Sequence, residues 1–367
     1  MTLVSGREAL GATVRRGRAP GRPSQAGGAA QLDGVARPGR GTLALWLVPA
    51  MVVVWTGLFG LSYLGALARP VPHRIPLGIV APAPAAAHIV EALRLGAPGV
   101  VDPHGYLGLG QARTALLARR VDGVLVSGPT ADTLYVAGAA GPPIATVLGG
   151  VASTLASHQH VPLVTHDVVP LPAGDSSGLG LFYLVLACVL GGYVGTIMIL
   201  AHTGPLPAGR RAMQLAGTAV VCGAALTAVA RFVLGSDPLP MPAAAVIAAL
   251  TVFAVATCTW ALLTGLGRLA VPVAIGVFVL LGSPSSGGAI PRSLLPGFYS
   301  AVGRWLPNGA AVSALRDLTF FPTASTTRPL LVLGGWALVG LLSALILSRR
   351  RRRAPERVAA QSGASPP

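Results

Sequence analysis

The sequence predicts an α-helical polytopic membrane protein with six transmembrane helices, both termini inside, and a small extracytoplasmic α/β domain between helices 1 and 2. Three observations carry that expectation. Of the 367 residues, 53% are apolar and only 10% charged, whereas an ordinary soluble domain is about a quarter charged. Apolar segments near the ~20 residues needed to cross a ~30 Å hydrocarbon core recur along the chain. Between the first two of them lie residues 69–178, which hold no such segment and alternate strand-like with helix-like patterns.

The first span, 43–68, ends on Ala66-Leu67-Ala68, which resembles a signal-peptidase site. Its apolar core is too long for a signal sequence, so it reads as an uncleaved anchor. Residues 1–42, rich in Gly, Ala, Arg and Pro without periodicity, read as a disordered basic cytoplasmic arm. The membrane domain 179–348 carries spans at about 179–201, 213–234, 243–266, 269–282 and 330–347, and 349–367 is a basic cytoplasmic tail.

Charge geography sets the orientation. Every basic residue is arginine and the net charge is +16. With the N-terminus inside, the arm carries +5, the turn 202–212 carries +2, Arg268 adds one and the tail +5, leaving only +3 outside. Basic inner flanks at each crossing follow the positive-inside rule. The basic arms therefore set topology and touch membrane lipid; no nucleic-acid binding is expected. Cys188, Cys222 and Cys258 all fall within apolar spans and imply neither disulfides nor a thiolate metal site.

Within 69–178, "IPLGIVAP" predicts a buried strand and "AAAHIVEALRLG" a helix stopped at Gly96. "GQARTALLARR" predicts a second helix and "VDGVLVSG" and "TLYVAGAAG" two further strands. "PPIATVLGGVASTLASH" reads as a helix with proline in its first turn, and "VPLVTHDVVPL" as a last strand. The resulting sheet is expected to be at least partly parallel.

Several chemistries are missing. A Walker A loop needs a lysine to reach the phosphates, and this chain has none. All acids lie in arms, loops or the external domain, which argues against gradient coupling through intramembrane carboxylates. Arg231, about a turn from the outer end of its helix, reads as a snorkelling side chain. His158, His160, His166 and Asp167 are close in sequence, but a strand over Val161–Thr165 separates the pairs, and no metal is expected. No nucleophile elbow or zinc-protease motif occurs, so neither enzymatic activity nor a cofactor is expected. Gly191 and Gly195, with Gly192 beside them, allow close approach between helices.

Residues 269–282 pose a physical problem. As a helix, the apolar run from Leu269 to Leu281 rises only ~20 Å, short of the hydrocarbon thickness. Ser283, Pro284, Ser285, Ser286, Gly287 and Gly288 would then lie at membrane depth, where irregular backbone survives only buried in protein or lining a watery cavity. They are expected to form an outer vestibule. Beyond them, "PRSLLPGFYSAVGRWL" and "NGAAVSALRDLTFF" read as two short amphipathic helices, the second with Asn308 as a cap. They either dip into the outer leaflet or lie flat on its surface.

These residues also resemble a family. "PSSGGAIPRSLLPGFYSAVGRWLPNGAAVSALRDLTFF" is similar to the penultimate loop of ABC-2-type membrane permeases, specifically the Pip/YhgE-like branch related to phage-infection and nitrosoguanidine-resistance-type proteins. The match rests on Pro284, Ser285, Ser286, Gly287, Gly288, Pro291, Leu295, Pro296, Phe298, Leu306, Pro307 and Arg316. The layout of one span, a large external domain and five further spans agrees, as does "VVPLPAGDSSGLGLFYLVLA" leading into the second span. The resemblance implies a permease subunit of a dimeric exporter, homo- or heterodimeric, in a bacterial plasma membrane and served by a separate cytoplasmic ATPase. Pro284, Ser285, Ser286, Gly287, Gly288, Pro296 and Phe298 are then substrate-path or gate candidates, and Arg210 and Arg211 candidate ATPase contacts. The alternative expectation is a non-transporting secretion accessory or surface receptor whose external domain binds a partner.

Overall fold

The arrangement of the apolar helices follows from what each can pack against. It is seen in a computed structural model that describes residues 40–234 and 239–361. Most of the basic arm and the end of the tail lie outside the described residues. Among these residues, five helical stretches are long and apolar enough to cross a membrane: Pro49–Leu67, Gly180–His202, Ala208–Val233, Met241–Leu281 and Thr327–Arg351. They belong to α1 (Arg40–Leu67), α5 (Gly180–His202), α6 (Ala208–Leu234), α7 (Met241–Leu266) with its continuation, and α11 (Thr327–Gln361). Each helix begins and ends within a few residues of its predicted span, except that α11 runs on beyond 347 through the arginine run. Arginine and alanine are strong helix formers, which favours that extension. From Val53 onward the chain forms one unit.

The 41-residue stretch Met241–Leu281 is not one rod. Gly267 adopts φ +58, a left-handed conformation that ends α7 and that an L side chain rarely tolerates. A 3-10 turn, Gly267–Leu269, leads into α8 (Ala270–Ala274) and a π-helical segment, Ile275–Leu281. This limb folds back along α7, so that Val273, Val277 and Phe278 share one cavity wall with Leu266, Leu262 and Cys258.

Helix α7 is the hub, packed against α5, α6, α11 and α10 (Pro307–Phe320). Three neighbours approach it through a glycine. A Cβ on Gly192 of α5 would stand 2.7 Å from the Val252 carbonyl, one on Gly223 of α6 would stand 2.5 Å from the Ala249 nitrogen, and one on Gly340 of α11 would stand 2.7 Å from the Cys258 nitrogen. The close approach on α5 is thus made by Gly192; Gly191 and Gly195 face open space. Cys188 and Cys258 are buried in this bundle, Cys222 is partly buried, and all three are free thiols.

The α/β domain is a five-stranded sheet in the order β2-β1-β3-β4-β5, with β1 at Ile75–Val80, β2 at Val101–Gly105, β3 at Gly123–Ser127, β4 at Asp132–Val136 and β5 at Leu163–Asp167. Only β3 and β4 pair antiparallel. The hydrophobic period of two sends Leu77, Ile79, Leu125 and Leu134 to one face, under α2 (Ala83–Gly96) and α4 (Pro142–His158). Val124 and Val126 point to the other face, under α3 (Leu109–Leu117). Strand β2 had no sequence signal. Its Val-Asp-Pro-His-Gly run is mostly exposed at the sheet edge, where proline is tolerated and no alternation is required.

Two segments from the membrane part complete this domain's cores. Leu294 inserts beneath α2 and α4, and Val71 and His73 donate backbone hydrogen bonds to Leu294 O (3.0 Å) and Ser293 O (2.9 Å). Phe321, at the end of α10, fills the opposite core beside Ala112 and Leu116.

Replacing Gly340 with Leu should destabilise the detergent-solubilised chain by about 1–3 kcal/mol through overpacking against Cys258. Gly191→Leu, pointing into open space, should stay within about 0.5 kcal/mol of wild type; melting curves of the two variants check the contrast.

Candidate functional site

The loop-like stretch after the short limb is built from local turns. The π-helical segment closes with Gly282 N donating to Val277 O at 2.9 Å. Pro284–Ser286 then forms one 3-10 turn, and Gly287 reverses the chain at φ +76. Side-chain hydroxyls stand in for missing helical donors: Ser285 Oγ donates to Leu281 O (2.5 Å) and Ser286 Oγ to Ser283 O (2.7 Å). On α1, Ser62 Oγ donates to Leu280 O.

Three further carbonyls accept from α10. Asn308 Nδ2 donates to Phe278 O at 3.0 Å and to Ser283 Oγ at 3.3 Å. Arg316, only 6% exposed, donates from its two terminal nitrogens to Gly287 O (3.1 Å) and Gly288 O (3.3 Å). The cap of α10 is Leu306, with Pro307 at its first position, so Asn308 does not cap the helix as expected. It is buried, turned instead onto the interrupted limb.

Pro284, Ser285, Ser286, Gly287 and Gly288 are all buried. Phe182 of α5 lies against Gly288, and Gly303, at the end of α9 (Gly297–Gly303), lies against Ser285 O so closely that a Cβ there would sit 1.8 Å away. The stretch is therefore a plug packed in protein rather than an open vestibule. Pro296 stands apart as the residue before α9, and Phe298 is 62% exposed, stacked edge-on against Tyr299. Nor does α10 lie flat on a surface. Its residues from Pro307 to Asp317, apart from Ser313, are buried among α5, α7 and α11.

The turn between α5 and α6 separates the other predicted pair. Arg210 is exposed. Arg211 is buried, donating to Gly204 O (2.9 Å), Gln214 Oε1 (3.0 Å) and Thr203 Oγ1. It clamps its own turn. Arg231 similarly donates to Leu239 O at 3.4 Å, across the α6–α7 connection.

His166 and Asp167 of the histidine-rich segment are engaged in the fold. Asp167 Oδ1 accepts from Gly138 N (2.9 Å) and Val169 N (3.1 Å), and His166 stacks on Tyr135. Among the described residues no group of three or more His, Cys, Asp or Glu could hold a metal. Asp175 is also structural: its two oxygens accept from Leu179 N and Gly180 N, both at 2.9 Å, capping α5.

A second constellation escaped the sequence reading. Where the α/β domain meets α10, Arg119 forms an ion pair with Asp317 and lies over the Phe321 ring at 5.4 Å. Arg119 itself adopts φ +54, a strained conformation for a side chain of this size. Around the pair opens a cleft of about 300 Å³ lined by Arg119, Arg292, Arg304, Arg328, Asp122 and Asp317. Burial first, then the like charges of Arg119, Arg304 and Arg328, push the Arg292 guanidinium down to about 10, so it stays a cation at neutral pH. Burial pushes the Asp122 carboxyl up to about 6, against the opposing pull of Arg119. One signal could have pointed here. The +3 left outside by the positive-inside arithmetic lies entirely in residues 230–329.

Removing Arg316 (Arg316→Met) or Asn308 (Asn308→Ala) should cost about 1–3 kcal/mol each, because buried carbonyls lose their donors; Phe298→Ala should cost far less in the same thermal melts. Asp122 is protonated more readily in the folded chain than at its ordinary value, so its stabilising contribution is full below about pH 4 and is lost as pH rises through 6. The melting temperature of wild type relative to Asp122→Asn should therefore fall between pH 4 and 7.

No protein-family model matches this chain, and neither a curated protein nor a solved structure does.

Proposed function

We propose that this chain is the membrane subunit of an ABC-2-like exporter, crossing a bacterial plasma membrane six times with both termini inside and moving a hydrophobic or amphipathic substrate outward. In this reading α8 and the π-helical segment form the fifth, incomplete crossing. The observation that carries it is the interrupted helix, whose end is finished by a plug of serines and glycines held from α10. A helix broken at membrane depth is costly, and discontinuous helices of this kind typically form the substrate sites of transporters. Beside it runs a largely apolar groove of about 380 Å³ between α7, the folded-back limb and α11, walled by Leu262, Val277, Phe278, Trp336 and Val339. That lining suits a hydrocarbon substrate. The likeness of the plug sequence to the penultimate loop of ABC-2-type permeases supports the same reading.

The sequence holds no lysine for a Walker A loop, so in this reading a separate cytoplasmic ATPase supplies the energy, and the permease works as a dimer. Of the two arginines in the α5–α6 turn, Arg210 is the contact candidate, since Arg211 is engaged internally. A second reading, a surface receptor or secretion accessory, draws on one feature. An apolar cleft of about 360 Å³ lies between α2 and α4, lined by Leu93, Val151, Leu155 and His158, where a partner could seat.

Purification from the native membrane in mild detergent separates the two. Export predicts a stoichiometric ATPase that co-purifies and is lost with Arg210→Glu, while the fold and melting temperature stay unchanged. Reproducible purification without any ATPase would sink the exporter reading and leave the receptor reading standing.

A further inference from the structure

The arginine cleft has more positive charge than its own carboxylates balance. Asp317 is taken by Arg119, and Asp122 also faces Arg119. Arg292 uses one terminal nitrogen on Gly309 O (2.9 Å) and Ser313 Oγ, which leaves its other donors for the cleft. Arg304 and Arg328 are exposed and make no ion pair among the described residues. Four guanidinium groups around about 300 Å³, against two carboxylates, leave a site that repels itself when empty of anion. Guanidinium forks in that arrangement match the oxygens of a phosphate.

The cleft does not end in solvent on all sides. Arg328 also lines a second, shallow groove of about 490 Å³, whose other walls are Trp305, Leu331, Val332, Trp336 and Val339. Arg328 stacks over the Trp305 ring at 5.3 Å, and Trp336 Nε1 donates to Trp305 O at 2.7 Å, so the seam between the charged and apolar halves is ordered. A phosphate site that continues directly into an apolar trough has the two-part chemistry of an amphiphile. Free phosphate would use only the first half.

We propose that these two adjoining hollows form one site for an anionic amphiphile of the outer leaflet, with its phosphate among Arg292, Arg304 and Arg328 and its chain along α11. The site rests on the proposed orientation of the chain in the membrane and not on coupling to an ATPase.

The test uses the full chain purified in an uncharged maltoside detergent. Dioctanoyl phosphatidylglycerol, dioctanoylglycerol and inorganic phosphate are titrated separately, with intrinsic tryptophan fluorescence and native mass spectrometry as readouts. Phosphatidylglycerol is expected to bind saturably, at least tenfold tighter than either the uncharged diglyceride or phosphate. The Arg304→Gln/Arg328→Gln double variant should weaken it tenfold or more at an unchanged melting temperature. Because that variant keeps the C-terminal arginine run, lipid held by the tail stays constant. The fluorescence change should shrink in Trp305→Phe, leaving the part reported by Trp336, while mass spectrometry still records the lipid. Equal binding of phosphatidylglycerol and diglyceride, or wild-type affinity in the double variant, would overturn the proposal. Phosphate binding as tight as the lipid would overturn the amphiphile and assign the cleft to a soluble anion.

Discussion

A helix that stops part-way leaves carbonyl groups with no fourth residue to bond, and in an apolar bundle water does not replace the missing donor. The chain between Phe278 and Gly288 is arranged around that constraint. Local serines satisfy Leu281 and Ser283; Phe278 O takes its shorter side-chain bond from Asn308 and a longer one from Ser283, while Gly287 and Gly288 are reached from Arg316. Asn308 and Arg316 both stand on α10, so α10 has to be driven into the bundle for the interrupted limb to exist. Burying α10 in turn carries Asp317 and Phe321 to the α/β domain, where Arg119 receives them.

The long apolar helices and most of the α/β domain are legible because their signals are local. Runs of apolar residues mark α1, α5, α6, α7 and α11, and a period of two marks β1, β3 and β4. What could not be read depends on partners far apart in sequence. Asn308 looks like a cap by its position after proline, yet its partner lies thirty residues earlier. Arg211 looks like a surface cation beside Arg210, and only the folded turn shows four acceptors around it. The length of the limb marks it as too short to cross, but whether its end is wet or packed depends on Phe182, Gly303 and Asn308.

Charge gives a related lesson. In the proposed orientation the positive-inside arithmetic accounts for most arginines, and its value lies as much in the remainder. Arg292, Arg304, Arg316 and Arg328 fall where that rule predicts none. Two are buried enough to serve as structural donors, and two are exposed at the rim of a cleft. A cation that topology does not need has to be explained by something it touches.

Leu294 and Phe321 enter opposite faces of the same five-stranded sheet. A domain joined to a bundle by its two chain connections alone can swing like a gate on its posts. Here the sheet is held between two jaws, both belonging to the segment that follows the interrupted limb. A displacement of α10 would therefore press on the strands through Phe321, and a reporter fixed on β5, whose following residues Val168 and Val169 share that core, would register it.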